Sequence, residues 1–253
     1  MAVYITGDCH REWRKIRLFS ALRNLTEEDF IIVCGDFGIW DASDGYERKE
    51  LNKLSEIKPT VVFVSGNHEN FDRLYSDEFK TIDFYGGKAQ RIRANIYHLL
   101  RGYVFEFCGK KFWAFGGANS HDVEDGILDP NDYESPGEFG KVVKKWQKEN
   151  KMFRIIGVSW WERELPTEEE MNRGKEVLAA NKNQVDFIIS HCCPQQVAAA
   201  FSCGLYKVDR LTNYFDEIME NTKFTRWYFG HYHDDRVIMG KFVMLYDSFE
   251  RVV

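Results

Sequence analysis

Residues 60–69, TVVFVSGNHE, decide how this chain is read. The first five, TVVFV, are β-branched or aromatic, the composition of a strand buried on both faces. Ser65-Gly66 then turns the backbone tightly, and Asn67, His68 and Glu69 follow in a row. An amide, an imidazole and a carboxylate at the carboxyl end of an apolar strand lie where open α/β sheets bind their ligands. Taken alone, the same three residues read as a polar loop. The stretch gains its meaning from four other strands that end in a similar way.

Upstream, residues 2–6 form a short strand followed by Gly7-Asp8-Cys9-His10. In extended backbone residues i and i+2 point the same way, so Asp8 and His10 can face one site while Cys9 faces away. Trp13, Ile16, Phe19 and Leu22 recur at threes and predict a helix over 11–23. Residues 30–34, FIIVC, are a second strand, stopped by Gly35-Asp36. Leu51, Leu54 and Ile57 mark a helix that Pro59 closes. Downstream, 91–118 holds the strands IYHLL, YVFEF and KFWAF, with a hairpin turn at Cys108-Gly109-Lys110. Residues 185–190 end in His191, and 224–229 end in Gly230-His231-Tyr232-His233. The chain closes with strands VIM and FVMLY around a glycine turn. The change from βα units to consecutive strands predicts a mixed sheet in place of a Rossmann domain.

Residues 119–183 differ in kind. They are rich in Asp, Glu, Lys, Asn and Gly, with SWWERELP (159–166) embedded. Pro166-Thr167 before Glu168-Glu169-Glu170 is a helix start. Too few apolar residues are present for a separate core. The stretch therefore reads as an insertion or cap over the active-site face of one domain spanning 1–253.

The bulk numbers agree with a single globular unit. The chain has 253 residues, 44% hydrophobic and 29% charged. The net charge of −6 argues against general nucleic-acid binding through a basic surface. No apolar run approaches a membrane span, and polar residues by Asp8 leave no room for a cleavable leader. Six cysteines form no CxxC pair, and four lie inside or beside apolar strands. They read as buried reduced thiols of a cytoplasmic protein.

Five strands thus end in potential metal ligands: Asp8 and His10, Asp36, Asn67 and His68, His191, His231 and His233. Five of the seven histidines lie at these ends. The set is nitrogen and oxygen with no obligatory thiolate, which suits Mn, Fe, Zn or Ni and argues against a structural cysteine-zinc site.

GDCH, GD, GNHE, H and GHYH, in that order across residues 7–233, resemble the signature of the calcineurin-like metallophosphoesterases. The resemblance implies a four-layer α/β/β/α sandwich of two mixed β-sheets flanked by helices, with a binuclear metal centre at the sheet ends. It implies that Asp8, His10, Asp36 and His233 hold one ion and that Asp36, Asn67, His191 and His231 hold the other, Mn being the first expectation. It further implies hydrolysis of a phosphomonoester or phosphodiester by a hydroxide activated there. His68 would touch the phosphate and protonate the leaving oxygen. Two divalent cations against the carboxylates of Asp8 and Asp36 leave the pocket net positive, although the chain is acidic. Glu69 would orient an imidazole or lie in solvent. Arg11, Arg73 and His121 are further candidates for substrate contact, with surface charges and an exposed loop histidine as their plain readings. Trp160 and Trp161 would stack on a substrate ring or pack in the cap.

The departures from the family pattern are informative. FGIW follows Asp36, and Asn70-Phe71 follows GNHE, so the usual phosphate-binding arginine of the protein-phosphatase branch is missing from its place. Ile39 stands where purple acid phosphatases carry a tyrosine ligand. SWWERELP resembles a segment of bacterial and phage members. The expected partner is a small-molecule phosphoester. Two other readings stand beside it: a metal-binding scaffold of the same fold without catalysis, which the retained His68 disfavours, and a nuclease, which the acidic charge disfavours.

Overall fold

Alternate residues of each buried strand serve opposite layers, and that alternation builds the molecule. The computed structural model describes residues 1–41, 43 and 45–253. Its first half runs β1 (Val3–Thr6), α1 (Arg14–Arg23), β2 (Phe30–Val33), α2 (Gly45–Ser55), β3 (Thr60–Phe63) and the single turn α3 (Phe71–Leu74). β1, β2 and β3 pair in parallel, Val3 beside Phe30 and Phe30 beside Thr60. Ile5, Ile32 and Val62 are buried between the sheets, while Ile31, Val33, Val61 and Phe63 are buried with Trp13, Ile16, Leu51 and Leu54 under the helices.

The expected helix over 11–23 begins later, at Arg14. His10 and Arg11 have φ of 44° and 71°, which no right-handed helix accepts. Leu22 is 80% exposed, so the buried stripe ends with Ile16 and the half-buried Phe19.

Two strands that sequence reading did not find come next. β4 (Thr81–Phe84) and β5 (Gly87–Arg93) form a hairpin, and β6 (Ile96–Leu99) pairs antiparallel with β5 and parallel with β3. β4 is a mostly exposed edge, and β5 mixes Lys88, Arg91 and Arg93 with buried Ala89, Gln90 and Ile92. Neither shows the apolar run that identifies a central strand.

The expected hairpin is β7 (Tyr103–Phe107) and β8 (Lys110–Phe115), turning through Cys108 and Gly109 at positive φ. β9 (Gly126–Leu128) and β10 (Phe153–Ile155) pair in a small parallel sheet, with α4 (Pro136–Lys148) between them. The rest is α5 (Glu168–Ala180), β11 (Phe187–Ser190), α6 (Gln195–Ser202), α7 (Arg210–Asn221), β12 (Arg226–Phe229), β13 (Arg236–Ile238), β14 (Phe242–Met244) and β15 (Phe249–Arg251).

The described residues thus form a seven-stranded sheet, β15-β1-β2-β3-β6-β5-β4, and a six-stranded sheet, β13-β14-β12-β11-β8-β7. Phe105, Phe107, Phe112, Ala114, Ile189 and Val243 are buried together with Ile5 and Ile32 of the first sheet. Trp113, Phe115, Ile188 and Trp227 are buried with Leu178, Val197, Leu211 and Phe215 of α5, α6 and α7. Helices, sheet, sheet and helices follow in that order, a four-layer mixed α/β sandwich. The last strand, β15, returns to the first sheet and pairs antiparallel with β1.

The stretch 119–183 contributes to two parts of the molecule. α4 has no buried residue, and its Trp146 packs edge-on against Phe153 of β10. α5 belongs to the outer helical layer through Leu178 and starts with the expected capping box at Thr167 and Glu170. Arg101, 1% exposed, fastens the segment between them. It donates to Glu170 Oε2 at 3.0 Å and to the carbonyls of Arg163 and Glu164 at 2.8 and 3.1 Å. Arg101→Met leaves Glu170 buried without its cation, and we expect urea unfolding to show a loss of about 3–5 kcal/mol.

Candidate metal centre

Glycine precedes the candidate ligand at most strand ends for a reason of space. A Cβ on Gly66 would stand 1.9 Å from Asp36 Oδ1, and one on Gly230 would stand 2.0 Å from Asp8 Oδ1. Without side chains there, each carboxylate closes onto a backbone amide of the next loop. His68 N–H donates to Asp36 Oδ1 at 2.7 Å, and His231 N–H donates to Asp8 Oδ1 at 2.9 Å. The second bond joins the two sheets, since Asp8 follows β1 and His231 follows β12. The backbone is held in uncommon conformations here: His10, Asp36, His231 and His233 all have φ between 44° and 69°. Such conformations persist in non-glycine residues where the surroundings impose them, and they gather at functional sites.

Each carboxylate has one oxygen left over. Asp8 Oδ2 and Asp36 Oδ2 are buried and have no hydrogen-bond partner. They are ringed by nitrogen. His10 Nε2 lies 3.5 Å from Asp8 Oδ2 and 3.7 Å from Asp36 Oδ2, His233 Nε2 lies 3.2 Å from Asp8 Oδ2, and the two imidazole nitrogens are 3.1 Å apart. His191 Nε2 lies 3.3 Å from both Asp36 Oδ2 and Asn67 Oδ1. Two donors about 2.1 Å from one cation stand about 3.0 Å apart at a right angle and about 3.4 Å apart at a tetrahedral one, and the separations here run from 3.1 to 3.7 Å. Among the described residues, Asp8, His10 and His233 form one group able to hold a metal ion, and Asp8, Asp36 and His191 form another.

The remaining hydrogen bonds fix which atoms are offered. His191 Nδ1 donates to the Cys34 carbonyl at 2.7 Å, so Nε2 is the nitrogen turned to Asp36 and would take a ligand bond on giving up its proton. Asn67 Nδ2 donates to Ser120 Oγ at 3.1 Å, and Ser120 Oγ donates to Glu164 Oε2 at 2.7 Å, so Asn67 Oδ1 is the atom turned to His191. Burial opposes charge on His191, but Asp36 and Asp8 overcome it and push the imidazole up to about 9. Burial likewise opposes ionisation of Asp8, yet His191, His10 and His233 hold its carboxyl well below the usual range. The space among these groups favours positive charge, and the buried unpartnered oxygens fit a divalent cation.

The other candidates fall in different places. His231 enters neither group of ligand atoms; it is 8% exposed, with its ring centre 4.9 Å from that of His191 and 4.8 Å from that of His121. His121 is exposed and helps line a cavity of about 300 Å³ beside His231, with Tyr206 and Tyr232. Arg73 gives its guanidinium to Glu47 and Glu78, so this candidate for phosphate contact is engaged by two carboxylates. Arg11 lies over the rings of Trp40 and Tyr46 at 4.9 and 5.3 Å. His98 is buried and bonded to Gln90 Oε1 at 2.8 Å, a structural histidine. The two alternatives for Glu69 both give way. It is fully buried and accepts from the backbone N–H groups of Phe37, Gly38 and Ile39 at 2.8–3.1 Å, which shapes the loop that carries Asp36.

His68 lies beside the ligand groups and belongs to neither, its ring centre 5.1 Å from that of His10. Burial pushes its imidazole down, to about 4. Its neighbour is a residue that sequence reading missed. Arg154 of β10 is 6% exposed, and its Nη2 is 2.9 Å from His68 Nε2. Arg154 also donates to Asp122 through Nε and Nη2 at 2.6 and 2.7 Å, and to the Ser159 carbonyl through Nη1 at 2.8 Å. Ser120 and Glu164 were missed as well, although Glu164 lies in the SWWERELP segment that composition singled out.

A comparison with protein families matches residues 1–235 to the calcineurin-like phosphoesterases. The chain belongs to that family, whose members hydrolyse phosphoesters with divalent metal ions. Comparison with curated proteins gives no match. Among the described residues, no helix is long and apolar enough to cross a membrane.

Proposed function

We propose that this chain is a phosphomonoesterase or phosphodiesterase that works with two divalent cations, Mn first among Mn, Fe, Zn and Ni. The observation that carries the reading is the pair of buried, unpartnered carboxylate oxygens, Asp8 Oδ2 and Asp36 Oδ2, among the nitrogens of His10, His191 and His233. Asp8, His10, Asp36 and His233 would hold one ion. Asp36, Asn67, His191 and His231 would hold the other. When bound, the cations supply Lewis acidity, which makes water a stronger nucleophile at neutral pH and offsets the charge of the phosphate.

The protein's own groups do the rest. Asn67 brings a carbonyl oxygen and no charge, so the site keeps its attraction for an anion. Cys34, Ser120 and Glu164 hold the ligand atoms in place before a substrate arrives, and preorganised donors of this kind need no rearrangement during the reaction. His68 stands at the edge of the ligand groups, placed to bond a phosphate oxygen and to give a proton to the departing alkoxide. Its presence favours catalysis over a scaffold role, and the acidic chain favours a small molecule over a nucleic acid. The buried thiols Cys9, Cys34, Cys192 and Cys193 support a cytoplasmic location.

Purified protein given Mn²⁺ is expected to hydrolyse p-nitrophenyl phosphate or bis-p-nitrophenyl phosphate, and EDTA is expected to stop it. If neither ester is cleaved with any of the four metals, the reading is wrong.

A further inference from the structure

Arg154 is a buried cation with too little opposite charge around it. Among the described residues, the carboxylate bonded to it, Asp122, is 46% exposed and holds two of the five guanidinium N–H groups, while the Ser159 carbonyl holds a third and Glu164 feels its charge without a bond to it. The remaining two lie toward the ring of His68, at 2.9 Å from Nε2 and 3.4 Å from Nδ1. An imidazole offers no negative charge. A buried guanidinium is costly unless its N–H groups and its charge are met. An anion beside Arg154 and His68, taking the N–H groups now turned to the imidazole, would satisfy both.

The same two residues form one wall of a cavity of about 240 Å³, whose other walls are Trp40, Trp161, Val158 and Ser159. Both indole N–H groups are already satisfied: Trp40 donates to the His68 carbonyl at 2.6 Å, and Trp161 donates to Asp72 Oδ2 at 2.8 Å. What the indoles offer the cavity is ring carbon. The volume lies below the ~300–1,000 Å³ that takes a drug-sized ligand, which fits one small ring system. Aromatic walls favour a flat aromatic guest.

We propose that this cavity is the leaving-group subsite, that it takes a small aromatic group attached to the phosphate, and that Arg154, delivered by the inserted segment, binds the phosphate beside His68. The proposal rests on the phosphoesterase reading and names its substrate class: an ester whose departing alcohol carries one aromatic ring system. The departing oxygen then lies at the mouth of the cavity, next to His68. Trp40 joins the subsite to that histidine directly, through its bond to the His68 carbonyl.

Two phosphonates, which carry a P–C bond and resist hydrolysis, test the subsite apart from the chemistry. Phenylphosphonate and methylphosphonate would be titrated calorimetrically into the full chain in Mn²⁺ buffer. The phenyl compound is expected to bind at least tenfold more tightly. Val158 is 65% exposed, so Val158→Trp fills the cavity without disturbing the core, and the preference is expected to fall below twofold. Arg154→Met is expected to weaken both ligands at least tenfold and keep their ratio, with Arg154→Lys recovering part of the loss. Equal affinities in the unaltered chain, or a preference that survives Val158→Trp, would overturn the subsite. A chain that prefers phenylphosphonate yet cleaves no ester keeps the subsite and loses the phosphoesterase reading.

Discussion

Asp36→Ala is expected to abolish metal binding and, with it, hydrolysis. Partners behind a metal ligand typically cost ~10–100-fold when removed, and Asp36 stands in front of them, so the loss should exceed that range. Its Oδ2 lies 3.3 Å from His191 Nε2 and 3.7 Å from His10 Nε2, between the nitrogens of the two groups. Its Oδ1 holds the His68 amide. Burial would raise its carboxyl, but His191 holds it below the usual carboxylate range, so this candidate ligand is ionised at neutral pH. A cation that binds only the folded chain stabilises it, by about 2.7 kcal/mol at a concentration one hundred times its Kd. Thermal unfolding should therefore rise with added Mn²⁺ in the unaltered chain and stay flat in the variant. Asp36→Asn keeps the shape and can still accept from His68, so it separates loss of charge from loss of fold. If the asparagine variant still gained stability from Mn²⁺ as the parent does, the charge of Asp36 would not be needed to hold the metal.

The candidate ligands were legible because most sit in a local pattern: an apolar run, a glycine (a serine before His191), then a polar residue with a lone pair. Asp8, Asp36, Asn67 and His191 needed no knowledge of the second sheet. The alternation of Ile31 and Ile32, or of Trp113 and Ala114, likewise stated that both faces of these strands are covered. What could not be read depends on contacts between distant segments. Arg154 reaches His68 across 86 positions, and nothing near it in sequence marks an arginine destined for burial. Glu69 follows three of the strongest signals in the chain, yet its role answers a demand made elsewhere, by the amides of residues 37–39. Buried N–H groups require acceptors, and the residue that supplies one need not be a neighbour. β4 and β5 were missed for a related reason: an edge hairpin with one wet face carries its pattern in pairing more than in hydrophobicity.

His68→Ala is expected to part chemistry from metal binding. The imidazole touches neither group of ligand atoms, so the variant should take up Mn²⁺ like the parent and show the same metal-dependent rise in thermal stability. A positioned proton donor contributes typically ~10²–10⁴-fold, and the fall in kcat should lie in that range. The size of the fall should depend on the leaving group. A nitrophenolate departs with little need of a proton, whereas an alkoxide of high pKa needs one, so phenyl and alkyl esters should suffer more than p-nitrophenyl esters. Burial pushes His68 down, and Arg154 adds to that, while Asp36 opposes it. A phosphate anion bound beside His68 and Arg154 would reverse the balance, because negative charge beside an imidazole favours its protonated form. On the proposed reading, substrate would thus help to charge the acid that serves it. A His68→Ala variant that cleaves phenyl and p-nitrophenyl esters with losses of the same size would show that the histidine binds phosphate without donating a proton, and one that cleaves both at the parent rate would remove it from the reaction.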